Sequence, residues 1–159
     1  MLSIMKHTTL ANTFAITLAT ALVLGIAPTA QAEDKGCSNA TLKGTFAFTN
    51  TGFITAPTVV AGPFAGVGVQ TFDGKGNTNA TATVSQNGNI VAVTITGTYT
   101  VNPDCTGTFT LQISPVGLTG HAFFVIEADG AAFRAINTDP GEAITTVGKR
   151  QFPAGDSRQ

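Results

Sequence analysis

The chain has no tryptophan, one tyrosine, two cysteines and few charges: only 11% of its 159 residues are Asp, Glu, Lys or Arg. Eight Lys and Arg against nine Asp and Glu leave no field that would gather phosphates, so nucleic acid is excluded as a partner. The 43% apolar content and scarcity of charge also exclude a disordered chain. No GxSxG, HExxH or Walker-type run occurs, and no CxxC spacing. His121 is the one histidine beyond the N-terminal segment, so no His-based zinc site is expected, and neither metal nor cofactor is expected. What is abundant is threonine, 27 residues, and glycine, 18.

The N-terminus reads as an export signal. Lys6 is the positive n-region, Leu10 to Ile26 the apolar stretch, and Ala30-Gln31-Ala32 the small-residue cleavage triplet, with cleavage after Ala32. Asn12, Thr13, Thr17 and Thr20 interrupt the stretch, which argues against a retained anchor. No later run approaches the length that spans a bilayer, so no membrane association is expected after cleavage. The expected organisation is a Sec-type signal peptide over 1–32, one domain over 33–152 and a flexible tail over 153–159, exported to the periplasm or secreted. The mature part has 127 residues, with seven cations against nine carboxylates. Cys37 and Cys105 both fall within it, and an even count in an oxidising compartment favours a disulfide. Closing a loop of this length is worth about 4 kcal/mol in the chain-entropy picture.

Apolar and polar residues alternate with period two, and Gly, Asn, Asp and Pro recur at roughly ten-residue intervals. Nine strands are expected: Thr41–Thr49, Phe53–Ala61, Phe64–Phe72, Thr78–Gln86, Asn89–Val101, Thr108–Ser114, His121–Ala128, Ala131–Thr138 and Glu142–Phe152. Asn87-Gly88 fits a type I′ turn and pairs Gln86 with Asn89, Val84 with Val91, Ala82 with Val93 and Ala80 with Ile95. Across the turn from Asn102 to Gly107, the apolar side of Val91 to Val101 falls with Phe109, Leu111 and Ile113, and the threonines fall on the other side. Every connection is short, so the fold expected is an all-β antiparallel up-and-down meander closing into a small barrel of eight or nine strands, with a two-sheet sandwich as the alternative.

Three motif blocks stand out in the mature chain: Cys37 to Phe46, Phe72-Asp73-Gly74-Lys75-Gly76, and Gly97 to Thr108 with its Asn102-Pro103-Asp104-Cys105 turn. With the closing run Thr138 to Gln151 they resemble a group of small exported bacterial proteins. The resemblance implies a calycin-like barrel similar to allene oxide cyclase and dirigent proteins, which bind small hydrophobic molecules or guide their cyclisation. No catalytic residue of those enzymes can be matched here position by position.

Candidate chemistry is sparse. His121 stands without a Ser, Cys or carboxylate motif beside it and reads as a loop-end residue. Asp73 to Asn79 superficially matches a calcium loop, but Lys75 takes a ligand position and no Glu closes it, so it reads as a hairpin loop. The Thr-x-Thr run from Thr94 to Thr100 reads as ordinary strand surface, and Asn39-Ala40-Thr41 and Asn79-Ala80-Thr81 as chance acceptor patterns. Glu127 and Arg134 lie diagonally on one face with Phe123, Val125, Ile136 and Ile144. Facing inward they would be an ionic handle for a ligand carboxylate or enol, and facing outward a surface bridge. The opposite face, with Phe124, Ile126, Phe133 and Ala135, is at least as apolar, which favours the outward placement. Tyr99 is the phenol expected on the lumen side. The expected function is binding of a small hydrophobic ligand, with Tyr99, Glu127 and Arg134 as its polar contacts. The alternatives are a cyclase or isomerase, and a structural or surface-interaction protein with a filled core.

Overall fold

A computed structural model describes residues 36–152; the expected leader and the tail from Pro153 lie outside the described residues. Eight strands follow in chain order: β1 (Gly44–Ile54), β2 (Gly62–Phe72), β3 (Asn77–Gln86), β4 (Asn89–Val101), β5 (Thr106–Ser114), β6 (Leu118–Glu127), β7 (Ala132–Asn137) and β8 (Glu142–Arg150). Each pairs antiparallel with the next, and β8 pairs with β1 to close a barrel, not a sandwich. Closure leaves no open sheet edge.

The β3–β4 hairpin has the register expected from its turn, with Gln86 opposite Asn89, Val84 opposite Val91 and Ala80 opposite Ile95. Asn87 and Gly88 take φ of 48° and 86°, the paired positive values that a type I′ turn demands. In β4 and β5, Tyr99 faces Phe109 and Ile95 faces Ile113, again as the alternation requires.

Eight strands form where nine were expected, because the first two candidate segments are not strands as drawn. Thr41 lies in a 3-10 turn (Asn39–Leu42), and Asn50-Thr51-Gly52 continues β1 instead of breaking it. Gly52 is needed there for close packing, since a Cβ would run into the Ala143 carbonyl of β8. The segment after Ile54 is a loop holding a second short 3-10 turn (Thr58–Val60).

The lumen is packed at one end. Phe46, Phe72, Tyr99, Phe109, Phe124 and Phe133 cluster there, with Phe109 stacked on Phe124 at 4.3 Å and Phe46 edge-on to Phe72 at 5.3 Å. Leu42 plugs this end from the first 3-10 turn and is fully buried. Three contacts hold the plug. Tyr99 donates its hydroxyl to the Asn39 carbonyl at 2.9 Å, and the Val101 amide donates to Asn39 Oδ1 at 2.8 Å. Cys37 and Cys105 are joined in a disulfide with 4.9 Å between their Cα atoms, a bond compatible with an exported protein. The Arg150 guanidinium closes the seam, donating to the carbonyls of Lys43, Thr41 and Gly130 while lying over the Phe46 ring at 4.6 Å.

Candidate functional site

The opposite half of the lumen holds a smaller apolar cluster, Phe48, Ala80, Ala82 and Val93, with a cavity beside it. Strand alternation sends Phe48, Ala82, Val93, Ile95, Leu111 and Ile144 inward around a cavity of about 210 Å³ whose floor includes Phe109 of the aromatic cluster. Short side chains at Ala82, Ala122 and Ala135 are part of its lining, whereas the inward glycines of β2, Gly66 and Gly68, are covered by Asn50 and Phe48. The rim carries Val116 and Leu118, which are 50% and 57% exposed, so the cavity opens at this end.

Four polar side chains interrupt the apolar lining on adjoining strands: Asn50 of β1, Asn137 of β7, and Glu142 and Thr146 of β8. Asn50 sits opposite Thr146 in the closing register, so these groups are brought together only when the barrel shuts. Asn137 Nδ2 donates to Glu142 Oε2 at 2.6 Å, which fixes the carboxylate at the mouth. Asn50 Oδ1 is buried against Gly66 and has no hydrogen-bond partner among the described residues. Leaving a buried acceptor unpaired costs about 1–3 kcal/mol, so its retention calls for an account beyond folding. A fifth group, Gln70 of β2, also faces the cavity; its Nε2 donates to Thr78 Oγ1 at 3.0 Å, and Thr78 Oγ1 donates in turn to the Thr71 carbonyl at 3.0 Å.

The residues expected as ligand contacts lie elsewhere. Tyr99 does point inward, but it is part of the packed end and its hydroxyl is spent on Asn39, so it does not line the cavity. Burial pushes its phenol above the ordinary tyrosine range, which keeps it a neutral donor to that carbonyl. Arg134 and Glu127 form an ion pair at 2.7 Å on the outer wall, with side chains 62% and 41% exposed. Their strands turn Phe124, Phe133 and Ala135 into the barrel, and parity sends these charges to solvent. Ile144, grouped with them in the sequence, is instead an inward residue of the cavity wall.

His121 gains a partner that was not foreseen. Its Nδ1 lies 2.8 Å from Asp139 Oδ1, and its backbone amide donates to Asp139 Oδ2 at 2.6 Å. Partial burial works to raise the Asp139 carboxyl, but the contacts from His121 outweigh it and hold the group below its ordinary value. The residue borders the rim, half exposed on the outward-facing side of β6.

Sequence reasoning missed the polar wall because Asn50, Asn137 and Glu142 were read as turn or strand-end residues. Period-two parity carried through Phe46 and Phe48 would have placed Asn50 inward, and the same count back from Phe72 places Gln70 inward. The chain matches no family model, no curated protein and no solved structure.

Proposed function

We propose that this is an exported barrel that binds one small, mainly apolar molecule in the open half of its lumen. The observation that carries this reading is the division of the interior: aromatic rings fill one end, while the other holds a cavity of about 210 Å³ walled by aliphatic side chains with a few convergent polar groups. The volume falls below the roughly 300 Å³ at which drug-sized sites begin, which favours a compact ligand. Export is supported by the leader-like N-terminus and by the disulfide. The threonine-rich outer face and apolar interior are the reverse of a lipid-facing barrel, which supports a role in aqueous surroundings.

The calycin-like resemblance is consistent with this role. The cyclase or isomerase alternative has less support, because the polar residues expected to serve it are placed outside the cavity. A purely structural role is less well supported by a cavity of about 210 Å³ within the lumen, since voids weaken a core.

The test is fluorescence titration with 1-aminoanthracene, a neutral apolar dye. Binding with one-to-one stoichiometry and a blue-shifted emission is expected, and Val91→Trp or Ile113→Trp, which fill the mouth, should abolish it while the thermal melt is retained. A dye that fails to bind, or that binds equally well to the filled variants, would remove the proposal.

A further inference from the structure

We infer that the occupant of this lumen is an uncharged or cationic molecule carrying a hydrogen-bond donor, such as an alcohol or amine, and that carboxylates are rejected; this rests on the binding role proposed above. Of the polar groups around the cavity, Gln70 and Glu142 present free acceptors, while the Thr146 hydroxyl and the Asn50 amide can donate or accept. Gln70 has committed its amide nitrogen to Thr78, which leaves its carbonyl oxygen unbonded among the described residues. Glu142 uses Oε2 to accept from Asn137, and its other oxygen makes no hydrogen bond among the described residues. The Asn50 amide makes none at all there and can turn either end to a ligand.

The charges point the same way. Among the described residues, Glu142 is the one carboxylate that lines the cavity, and no Lys or Arg lines it. His121 borders the rim but stands against Asp139, so even a protonated ring is offset by its partner. The Arg150 guanidinium is occupied at the packed end by three backbone carbonyls, and Arg134 pairs with Glu127 on the outer wall. A carboxylate entering this lumen would therefore meet a like charge in partly desolvated surroundings, with no Lys or Arg among the described residues of the lining to compensate it. A hydroxyl or ammonium meets acceptors that otherwise stay unpaired, and unpaired acceptors discriminate strongly against a ligand that cannot donate.

The experiment displaces bound 1-aminoanthracene at pH 7 with four straight-chain eight-carbon compounds: octane, 1-octanol, octylamine and octanoate. Octanol and octylamine should each bind at least about tenfold more tightly than octanoate, the factor that roughly 1.4 kcal/mol of charge repulsion produces. Glu142→Gln retains an acceptor for Asn137, and with each competitor referred to the variant's own dye affinity it should bring octanoate to within about threefold of octanol. Octanoate binding as tightly as octanol, or an octanoate penalty that Glu142→Gln leaves intact, would overturn the inference while the dye still demonstrates binding. Failure of the dye itself to bind would instead remove the binding role, and the inference with it.

Discussion

Arg150 shows how much one side chain can hold. Its planar fork reaches carbonyls from the plug, from the segment leading into β1 and from the turn before β7, so it ties together chain segments more than a hundred residues apart. Burial pulls its guanidinium below its ordinary value, but the three acceptors hold the charged form in place. Arg150→Met should cost about 2–3 kcal/mol, because it leaves carbonyls without a donor, and Arg150→Lys should recover little, because an ammonium is a point charge and not a fork. Urea denaturation of the oxidised protein measures both.

Asp73 makes a pH-dependent prediction at the same scale. The side-chain amide of Asn77, then the backbone amides of Asn77 and Lys75, donate to its carboxylate and hold it down from 3.8 to about 2. A folded value below the unfolded one means that the contribution is present above pH 4 and disappears as pH falls towards 2. The stability difference between the wild type and Asp73→Asn should therefore be seen at pH 6 and vanish near pH 2, as read from denaturation midpoints. Curves that stay equally separated at both pH values would show that the carboxylate is not what orders this turn.

Among the elements, the β3–β4 hairpin tests whether turn chemistry sets register. Gly88 has φ of 86° and open space where a Cβ would go, so Gly88→Val strains the backbone without a steric clash. A loss of about 1–2 kcal/mol is expected, visible as a lower urea midpoint with an unchanged m-value. This hairpin was legible residue by residue, because the turn signal and the alternation lie within a few positions of each other. β1 was not. Asn50 and Gly52 look like breakers in a one-dimensional reading; parity turns Asn50 inward only once the strand is carried past Thr49, and only the closing partner β8 explains why Gly52 must lack a side chain. The polar wall was missed for the same reason: Asn50 and Thr146 are remote in sequence, and no local pattern announces that they are neighbours. The disulfide was legible from compartment and count. Its removal by Cys37→Ser with Cys105→Ser should cost about 2–4 kcal/mol, measured without reductant, while circular dichroism keeps its β signature.

For the whole molecule, the central matter is an interior built in two halves. Rings and a 3-10 plug give one end a solid core on which stability depends. The other end holds a smaller apolar cluster beside a cavity, with polar groups supplied by the closing seam. Removing a ring from the packed end, as in Phe133→Ala, should cost about 3–5 kcal/mol, whereas a change at the open end such as Val91→Ala should cost far less. The most direct test of this division is a crystal structure of the disulfide-bonded protein grown with 1-aminoanthracene. One dye molecule is expected between Asn50 and Val93, above Phe109, with the aromatic end unchanged. A lumen closed by Phe64, Val116 and Leu118 folded inward, with no room for the dye, would contradict the account.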